Sequence, residues 1–177
     1  MVLPLTMAQD DEIARLARQI EAARKSEQLF LNAERVATVR RRGACELHRI
    51  CVEFVGAVNG RLTESLLELS PPAYFPETFR DPGVNLFQIS SQGRQMQIAF
   101  EAAPGLVSTE KFLVPYVLEG EVRTYNQKML ERFDIRTILL FYCVEESAAT
   151  WRCFDWRTSR AAPLDGPLLA GLMGPLF

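Results

Sequence analysis

Two glutamates and an arginine alternate along a segment that the sequence predicts to be a strand. Glu119, Glu121 and Arg123 are spaced two residues apart, so an extended backbone projects all three from one face of a sheet. Glu101 lies on an earlier predicted strand and adds a third carboxylate. Strand carboxylates are oxygen ligands that suit Mg²⁺, so one hypothesis is a metal-dependent nuclease or another hydrolase. Arg123 weakens that hypothesis because a guanidinium does not deprotonate in proteins, and the competing interpretation is a solvent-facing ladder of charges.

His48 is the only histidine in the chain, so any histidine-dependent chemistry must use it. Cys45 and Cys51 each lie three residues away along a predicted helix, close enough for a thiol to contact the imidazole. Catalysis by such a pair also needs an orienting group and an oxyanion site, so a surface or interface histidine is the competing interpretation. Cys143 and Cys153 lie on neighbouring predicted strands, where they could meet across a hairpin. The four cysteines form no CxxC pair, which predicts free thiols and no metal or cofactor site.

Arg40, Arg41 and Arg42 form the densest cluster of charge in the sequence. Three consecutive helical residues fan through about 200°, so they form a collar around the helix and not a stripe along it. Such an arginine collar predicts either a solvated, salt-bridged surface or a contact with an anion such as nucleic acid. The chain carries a formal net charge of −2, and residues 1–70 hold ten basic and ten acidic side chains. This balance argues against a general nucleic-acid-binding protein.

The hydrophobic period changes part-way along the chain, and this change predicts the elements that must position these residues. Apolar residues recur at helical spacing over about 10–70 and mostly alternate over about 84–156. The spacing predicts a first helix over 8–32 and a longer, more amphipathic helix over 36–58. Asn59, followed by glycine, is a natural stop for the second helix because both residues tolerate left-handed backbone angles.

A proline-rich segment separates the helical half from the alternating half. Residues 70–83 contain four prolines, which exclude a helix or a central strand, and three aromatic residues. We therefore expect an ordered loop that places its aromatic rings on the body of the protein. A short helix is predicted over 62–69, just before this segment. Gly43, on the apolar face of the second helix, indicates close approach by another element.

Alternation after the proline-rich segment predicts four or five strands. They are expected over 84–90, 95–101, 111–125, 135–144 and 150–157. Trp151 and Trp156 fall on opposite faces of the last strand, which places one in the core and one at an edge or interface. Asp165 then caps a short C-terminal helix. The expected fold is α+β, with long N-terminal helices packed on a mostly antiparallel sheet and the parts 1–70 and 71–177 joined in one composite domain.

Surplus apolar surface on the helices gives the leading functional prediction. Ile13, Leu16 and Ile20 share one stripe of the first helix, and Phe30 follows near its end. We expect these residues to form the interface of a homodimer, in a non-enzymatic protein that binds or assembles with other proteins. We expect no cofactor. No segment has the length and hydrophobicity of a membrane span, and the N-terminus lacks the features of a secretory signal, so a cytoplasmic location is expected.

Overall fold

The computed structural model describes residues 5–29, 32–145 and 148–177. Within these ranges two long helices precede an antiparallel sheet, and a short helix follows it. The elements are α1 (Leu5–Leu29), α2 (Ala33–Asn59), β1 (Glu68–Ser70), β2 (Asn85–Ser91), β3 (Arg94–Ala102), β4 (Tyr116–Tyr125), α3 (Gln127–Glu131), β5 (Arg136–Glu145), β6 (Ala148–Asp155), β7 (Arg160–Pro163) and α4 (Gly166–Met173). Single turns of 3₁₀ helix cover Pro76–Thr78 and Gly174–Leu176. None of the helices within the described ranges is both long enough and apolar enough to cross a membrane.

The described strands form one antiparallel sheet in which spatial order follows chain order, from β1 at one edge to β7 at the other. The predicted α+β class with an antiparallel sheet is confirmed, but the predicted number of strands is wrong, because the sheet has seven strands and not four to five. β1 and β7 escape the sequence prediction because segments of three and four residues are too short to show a period. The helix predicted over 62–69 is also wrong, since this stretch runs through a turn into β1.

Side-chain hydrogen bonds define both ends of α2. Asn32 Oδ1 accepts the N–H of Glu34 at 2.9 Å at the start of the helix. The helix ends at Asn59, which confirms the predicted stop. The Asn59 amide then donates to the Leu67 carbonyl oxygen at 2.9 Å and accepts the Leu67 N–H at 3.0 Å. These two hydrogen bonds tie the end of α2 to the residue that precedes β1, which is why the chain turns there and does not continue as a helix.

Helices α2 and α4 cover one face of the sheet, which we call the inner face. Met96, Ile98 and Phe100 of β3 are fully buried there, as their alternation predicts. Burying side chains of this size contributes roughly 1.5–3 kcal/mol each. Other fully buried residues of this layer are Leu47, Phe87, Ile89, Leu118, Leu140 and Leu169. The layer fixes the position of α2 against the centre of the sheet.

Gly43 allows α2 to approach β5 and β6 closely. A Cβ atom at this position would lie 2.5 Å from ring carbons of Tyr142, a separation that real Cβ atoms do not show. The Gly43 carbonyl oxygen accepts the indole N–H of buried Trp151 at 2.7 Å. The close approach predicted from Gly43 is therefore confirmed, and this contact sets the position of α2 along its axis.

The proline-rich segment packs two of its three aromatic rings on the body. Tyr74 meets Phe87 edge to face at a centroid distance of 4.9 Å, and Phe79 stacks on Phe100 at 6.5 Å. Phe75 is exposed. The prediction of an ordered loop is confirmed, because these contacts anchor both halves of the segment to the inner face.

The other face of the sheet, the outer face, is covered over only part of its area. The loop 103–115 covers the part of the outer face that β4, β5 and β6 form. There the Phe112 ring stacks on the Phe141 ring at a centroid distance of 5.0 Å, and its centroid lies 5.7 Å from that of Phe154. Toward β2 and β3 the face carries half-buried polar residues, such as Gln88 and Gln97. The boundary between the covered part and the polar part is where the predicted carboxylate cluster lies.

Candidate functional site

The structure gathers the four residues of the predicted carboxylate cluster around one cleft on the outer face. Glu101 of β3 pairs directly with Glu119 of β4 across the ladder, and Glu121 and Arg123 follow along β4. The cleft has a volume of about 390 Å³, and we call it the acidic cleft. Its wall consists of Val84, Ala99, Phe100, Glu101, Lys111, Glu119, Gly120, Glu121, Arg123, Leu139 and Phe141. The sequence pattern therefore places the carboxylates correctly relative to one another.

Lys111 reaches the acidic cleft from the 103–115 loop and is not predicted from the sequence. Its Nζ atom lies 2.7 Å from Glu119 Oε1. This hydrogen bond is the main reason why the pKa of the Lys111 amine is raised, and the charge of Glu101 raises it further. Arg123 forms an ion pair with Glu121 on the same strand. Two of the three carboxylates in the cleft therefore already have cationic partners.

Glu119 is the most deeply placed carboxylate of the cleft. Its side chain is only 9% exposed, whereas the side chain of Lys111 is 56% exposed. Glu119 Oε2 is buried and has no hydrogen-bond partner among the described residues. A buried polar atom without a partner carries a desolvation penalty of about 1–3 kcal/mol, more for a charged group. Glu119 thus keeps one buried oxygen that accepts no hydrogen bond from the described residues.

The metal-dependent hydrolase of the sequence analysis requires several donors free to bind one ion. Across residues 5–29, 32–145 and 148–177, no three His, Cys, Asp or Glu side chains converge in a way that could hold a metal. Glu121 and Glu119 each engage a cation, and Glu101 alone among the cluster carboxylates has no ion pair in the described part of the chain. The carboxylates line one cleft, where Lys111 pairs with Glu119 and Arg123 pairs with Glu121.

The arginine collar separates into two different environments. Arg40 is buried, and its guanidinium donates to the Val117 carbonyl oxygen at 3.0 Å and to the Gly105 carbonyl oxygen at 2.7 Å. It also pairs with Asp81 at 3.1 Å. Arg40 therefore clamps α2 to β4 and to the adjoining loops. Only the other two members of the collar, Arg41 and Arg42, are exposed and able to meet an anion or a nucleic acid.

His48 is buried in an aromatic contact and is not placed as a general base. Its Nε2–H donates to the Pro71 carbonyl oxygen at 2.8 Å, and its ring stacks on Tyr74 at 5.7 Å. Burial and the charge of Glu77 raise the pKa of the Cys45 thiol, the opposite of what a cysteine nucleophile needs. His48 thus fixes the proline-rich segment to α2.

The remaining cysteines and Trp151 occupy structural positions. Cys143 and Cys153 lie in clusters on opposite faces of the sheet, so they do not meet across the hairpin, and all four thiols are free. Trp151 is buried, whereas Trp156 is exposed beside Arg157, with the guanidinium carbon 5.5 Å from the ring centroid. The prediction of one tryptophan in the core and one outside it is confirmed.

Helix α1 carries exposed apolar residues. Ile13, Leu16 and Ile20, which we call the α1 stripe, are 66%, 55% and 60% exposed. Every side chain over 10–25 is exposed, so this part of the helix packs on no other described element. Phe30, the fourth predicted interface residue, lies outside the described residues. The structure therefore presents the α1 stripe to solvent.

A groove of about 750 Å³ lies between the second half of α2 and the start of α4, and we call it the helical groove. Ile50, Phe54 and Val58 of α2 form one wall, and Ala170 of α4 forms part of the other. The rest of its lining consists of Glu46, Arg49, Glu53, Ala57, Arg61, Thr150, Trp151, Pro163, Leu164, Asp165, Gly166 and Pro167. The apolar floor with charged residues at its rim is typical of a site that binds an amphipathic helix.

Two candidate surfaces therefore stand out among the described residues. The acidic cleft lies on the outer face of the sheet, and the helical groove lies in the helical layer of the inner face. Comparison with protein families, with curated proteins and with solved structures finds no match to this chain.

Proposed function

We propose that this protein is a non-enzymatic assembly module that forms a homodimer, in which the α1 stripe of each chain docks into the helical groove of the other. The exposure of Ile13, Leu16 and Ile20 on a helix whose described side chains, over 10–25, are all exposed carries the proposal. An isolated helix is marginally stable in water, because most helical stability in proteins comes from packing an apolar face. The stripe therefore needs a partner surface.

The free energy gained by burying the α1 stripe is comparable with the cost of association. Each of its three side chains is more than half exposed, and full burial of such a side chain contributes roughly 1.5–3 kcal/mol. Burying the exposed parts would yield about 3–5 kcal/mol for one helix. A symmetric exchange doubles this gain for a single association event, whose cost in lost translational and rotational freedom is about 4–15 kcal/mol. The groove's own apolar floor adds further burial.

The dimensions and charges of the two surfaces match. Over 46–61 the α2 wall of the groove is about 22 Å long, and over 13–24 the α1 stripe with Arg24 is about 16 Å long. Arg24 lies one turn beyond Ile20 on the same side of α1. The groove rim provides the carboxylates of Glu46 and Asp165 as partners for it.

A second copy of this chain is the occupant that the structure favours. Within the described residues, each chain presents an exposed apolar stripe on α1 and an apolar groove, so a two-fold exchange covers both surfaces. The chain's own α1 folded back, or a helix from a different protein, are the other possible occupants, and the experiment below separates them. The four free cysteines support assembly in a reducing compartment such as the cytoplasm.

Sedimentation velocity of the full chain tests the proposal. The chain has a mass of 20.0 kDa, and we expect a dimer of about twice that mass at micromolar concentration. Leu16→Glu in the stripe and Ala57→Glu in the groove should each produce monomers, because each places a charge in the apolar contact. Arg18→Glu on the opposite side of α1 and Val52→Glu on an exposed part of α2 outside the groove are the matched controls and should remain dimeric.

Three results would contradict the proposed exchange of α1 helices between two chains. A monomer at all concentrations with exposed α1 removes the dimer, and a monomer whose α1 amides resist hydrogen exchange shows that α1 folds back on its own chain. A dimer that Leu16→Glu disrupts but Ala57→Glu does not shows that two α1 helices pair with each other outside the groove. A photo-crosslinker at position 16, mixed with isotope-labelled chain, should label groove residues of the other copy.

A further inference from the structure

An exposed aromatic residue ends α3 at a backbone position that normally holds glycine. Phe133 has a φ of 54°, in the left-handed region. Its N–H donates to the Leu130 carbonyl oxygen at 3.1 Å, and the N–H of Asp134 donates to the Met129 carbonyl oxygen at 2.9 Å. Helices that end with this pair of hydrogen bonds favour glycine at the left-handed residue, because a Cβ is strained there. Phe133 is 93% exposed, so packing of its ring does not offset the strain, and strained residues of this kind cluster at functional sites.

A second exposed aromatic ring lies at the same end of the sheet. Trp156 directly follows β6 and is exposed beside the Arg157 guanidinium. Because neighbouring strands are antiparallel, the connection from β4 to β5, which contains Phe133, and the turn from β6 to β7, which contains Trp156, leave the sheet at one end. The centres of the two connections are about 10 Å apart, since adjacent strands are spaced by about 4.8 Å. The two rings can therefore contact one ligand.

The same two connections carry an excess of positive charge, and we call residues 126–136 and 155–160 the basic end of the sheet. They contain five cationic and three acidic side chains, whereas the whole chain has a formal net charge of −2. The five cations are all exposed, and none forms an ion pair in the described part of the chain; they are Lys128, Arg132, Arg136, Arg157 and Arg160. Most of them are arginines, whose planar guanidinium binds a phosphate through two hydrogen bonds.

A row of polar side chains continues from Trp156 across the outer face. The register places Gln97 of β3 between Gln88 of β2 and Arg123 of β4, and Thr137 of β5 lies beside Arg123. Extending the register of β5 and β6 by two residues places position 156 next to Thr137. All members of this row are exposed or half-buried. The glutamine amides provide hydrogen-bond donors and acceptors on the surface beside the basic end.

We propose that the basic end of the sheet binds a single-stranded nucleic acid. Bases stack on Phe133 and Trp156, the exposed arginines bind phosphates, and the amides of the polar row form hydrogen bonds with base edges. Stacking on aromatic rings accepts every base, so this surface binds single strands with little sequence preference. Binding needs no second copy of the chain, and it uses neither the helical groove nor the arginine collar.

The neighbours of Phe133 favour a nucleic acid over a lipid surface as the partner. Glu131 and Asp134 flank the ring, so its insertion into a bilayer would bring two carboxylates into an apolar medium. A base stacks on the face of the ring alone and leaves both carboxylates in water. The glutamine amides of the polar row match the hydrogen-bonding edges of bases, whereas the acyl chains of a lipid offer them no partner.

Fluorescence anisotropy of a labelled ten-nucleotide strand of mixed sequence, as DNA and as RNA, titrated with the full chain at low salt tests this surface. We expect saturable binding of at least one of the two strands. A duplex of the same sequence should bind about fivefold or more weakly, because its paired bases cannot stack on the rings. Binding of the duplex that equals that of the single strand would contradict the proposal. So would binding to vesicles of phosphatidylcholine and phosphatidylserine without binding to either strand, which would assign the surface to a membrane.

Two aromatic variants make the test specific to stacking. Trp156→Ala and Phe133→Gly should each weaken binding by about fivefold or more. Glycine adopts a φ of 54° without strain, so Phe133→Gly should fold at least as stably as the unaltered chain and remain informative. Phe75→Ala, at an exposed ring of the proline-rich segment, and Arg41→Gln, in the arginine collar, are the matched controls and should leave the affinity unchanged. If both aromatic variants bind normally, or if Arg41→Gln alone loses binding, the proposed surface is wrong.

The salt dependence of binding tests the phosphate contacts separately. The logarithm of the affinity should fall linearly with the logarithm of the salt concentration, with a slope of about −0.7 for each phosphate that the protein neutralises. The double variant Arg132→Gln with Arg157→Gln removes two cations and should make the slope shallower by about 1.4. A slope that does not change in this variant, or no saturable binding of either strand by the unaltered chain, would refute the proposal.

Discussion

Alanine at two glycines of α2 should change the stability of the protein in opposite directions. Gly43 and Gly56 lie in the same helix, and replacing either by alanine improves helix propensity by about 1 kcal/mol. A Cβ at Gly56 meets no atom within 4 Å, so only the propensity gain applies there. We expect Gly56→Ala to raise the free energy of unfolding by about 0.5–1 kcal/mol.

Gly43→Ala adds a severe contact to the same propensity gain. Its Cβ would lie 2.5 Å from two ring carbons of Tyr142, which is buried. The ring cannot move away cheaply, because its hydroxyl donates to Glu46 at 2.9 Å and its ring lies 5.0 Å from that of Trp151. Overpacking of this kind costs typically 1–3 kcal/mol, occasionally more. We expect a net loss of up to about 2 kcal/mol, and a difference of about 1–3 kcal/mol between the two variants, because the propensity gain is common to both.

Urea unfolding followed by circular dichroism measures both values under identical conditions, provided that the denaturant slopes agree. The double variant Gly43→Ala with Tyr142→Leu should recover part of the loss, giving a coupling energy of about 1 kcal/mol. If Gly43→Ala stabilises the protein as much as Gly56→Ala does, α2 does not contact β5 in the way described. The described position of α2 on the sheet, and of the helical groove that α2 lines, would then be wrong.

Two further predictions concern buried polar and ionisable groups. Arg40→Met should lower the free energy of unfolding by about 3–5 kcal/mol, because it leaves the Asp81 carboxylate and buried carbonyl oxygens without their hydrogen-bond donor. The exposed Arg41 is the control, and Arg41→Met should change the same quantity by less than about 0.5 kcal/mol in the same urea titration. Burial raises the pKa of the Cys51 and Cys153 thiols from 9.0 to about 12, so the folded state keeps protons that the unfolded state releases. Their contribution to stability is complete below pH 9 and declines as the pH rises toward 12. The urea midpoint should fall between pH 8 and 10.5, with a shallower fall in Cys51→Ala; an equal fall in that variant would contradict the assignment.

The elements that the sequence predicts well are those whose burial follows a long, regular period. β3 alternates over seven predicted residues, and its inward side chains Met96, Ile98 and Phe100 are all buried. α2 carries its stripe through several turns and ends at Asn59 as predicted. In both cases the spacing of apolar residues reflects a single face packed on one layer, so local sequence contains the necessary information.

The features that escape prediction depend on contacts between distant residues. Arg40 belongs to a run of arginines that the local sequence predicts to be on the surface, yet its partners come from residues 41 to 77 positions away along the chain. Lys111 lies in an irregular loop with no period, so nothing local places its amine beside Glu119. β1 is too short to show alternation, and it forms because β2 provides a partner. In each case tertiary contacts determine the outcome.

The two proposed functions use different parts of the fold and can be tested separately. The helical groove lies against α2 and α4 on the inner face, whereas Phe133 and Trp156 lie in connections at one end of the sheet. Leu16→Glu should therefore abolish the dimer and leave the affinity for a ten-nucleotide strand unchanged, and Trp156→Ala should weaken binding of the strand and leave the dimer intact. If instead both variants change both properties, the sheet transmits a change between its inner face and its basic end. Gly120 is the place to look for such a path, because the strands there are packed so closely that a Cβ would lie 2.1 Å from the Ala99 carbonyl oxygen.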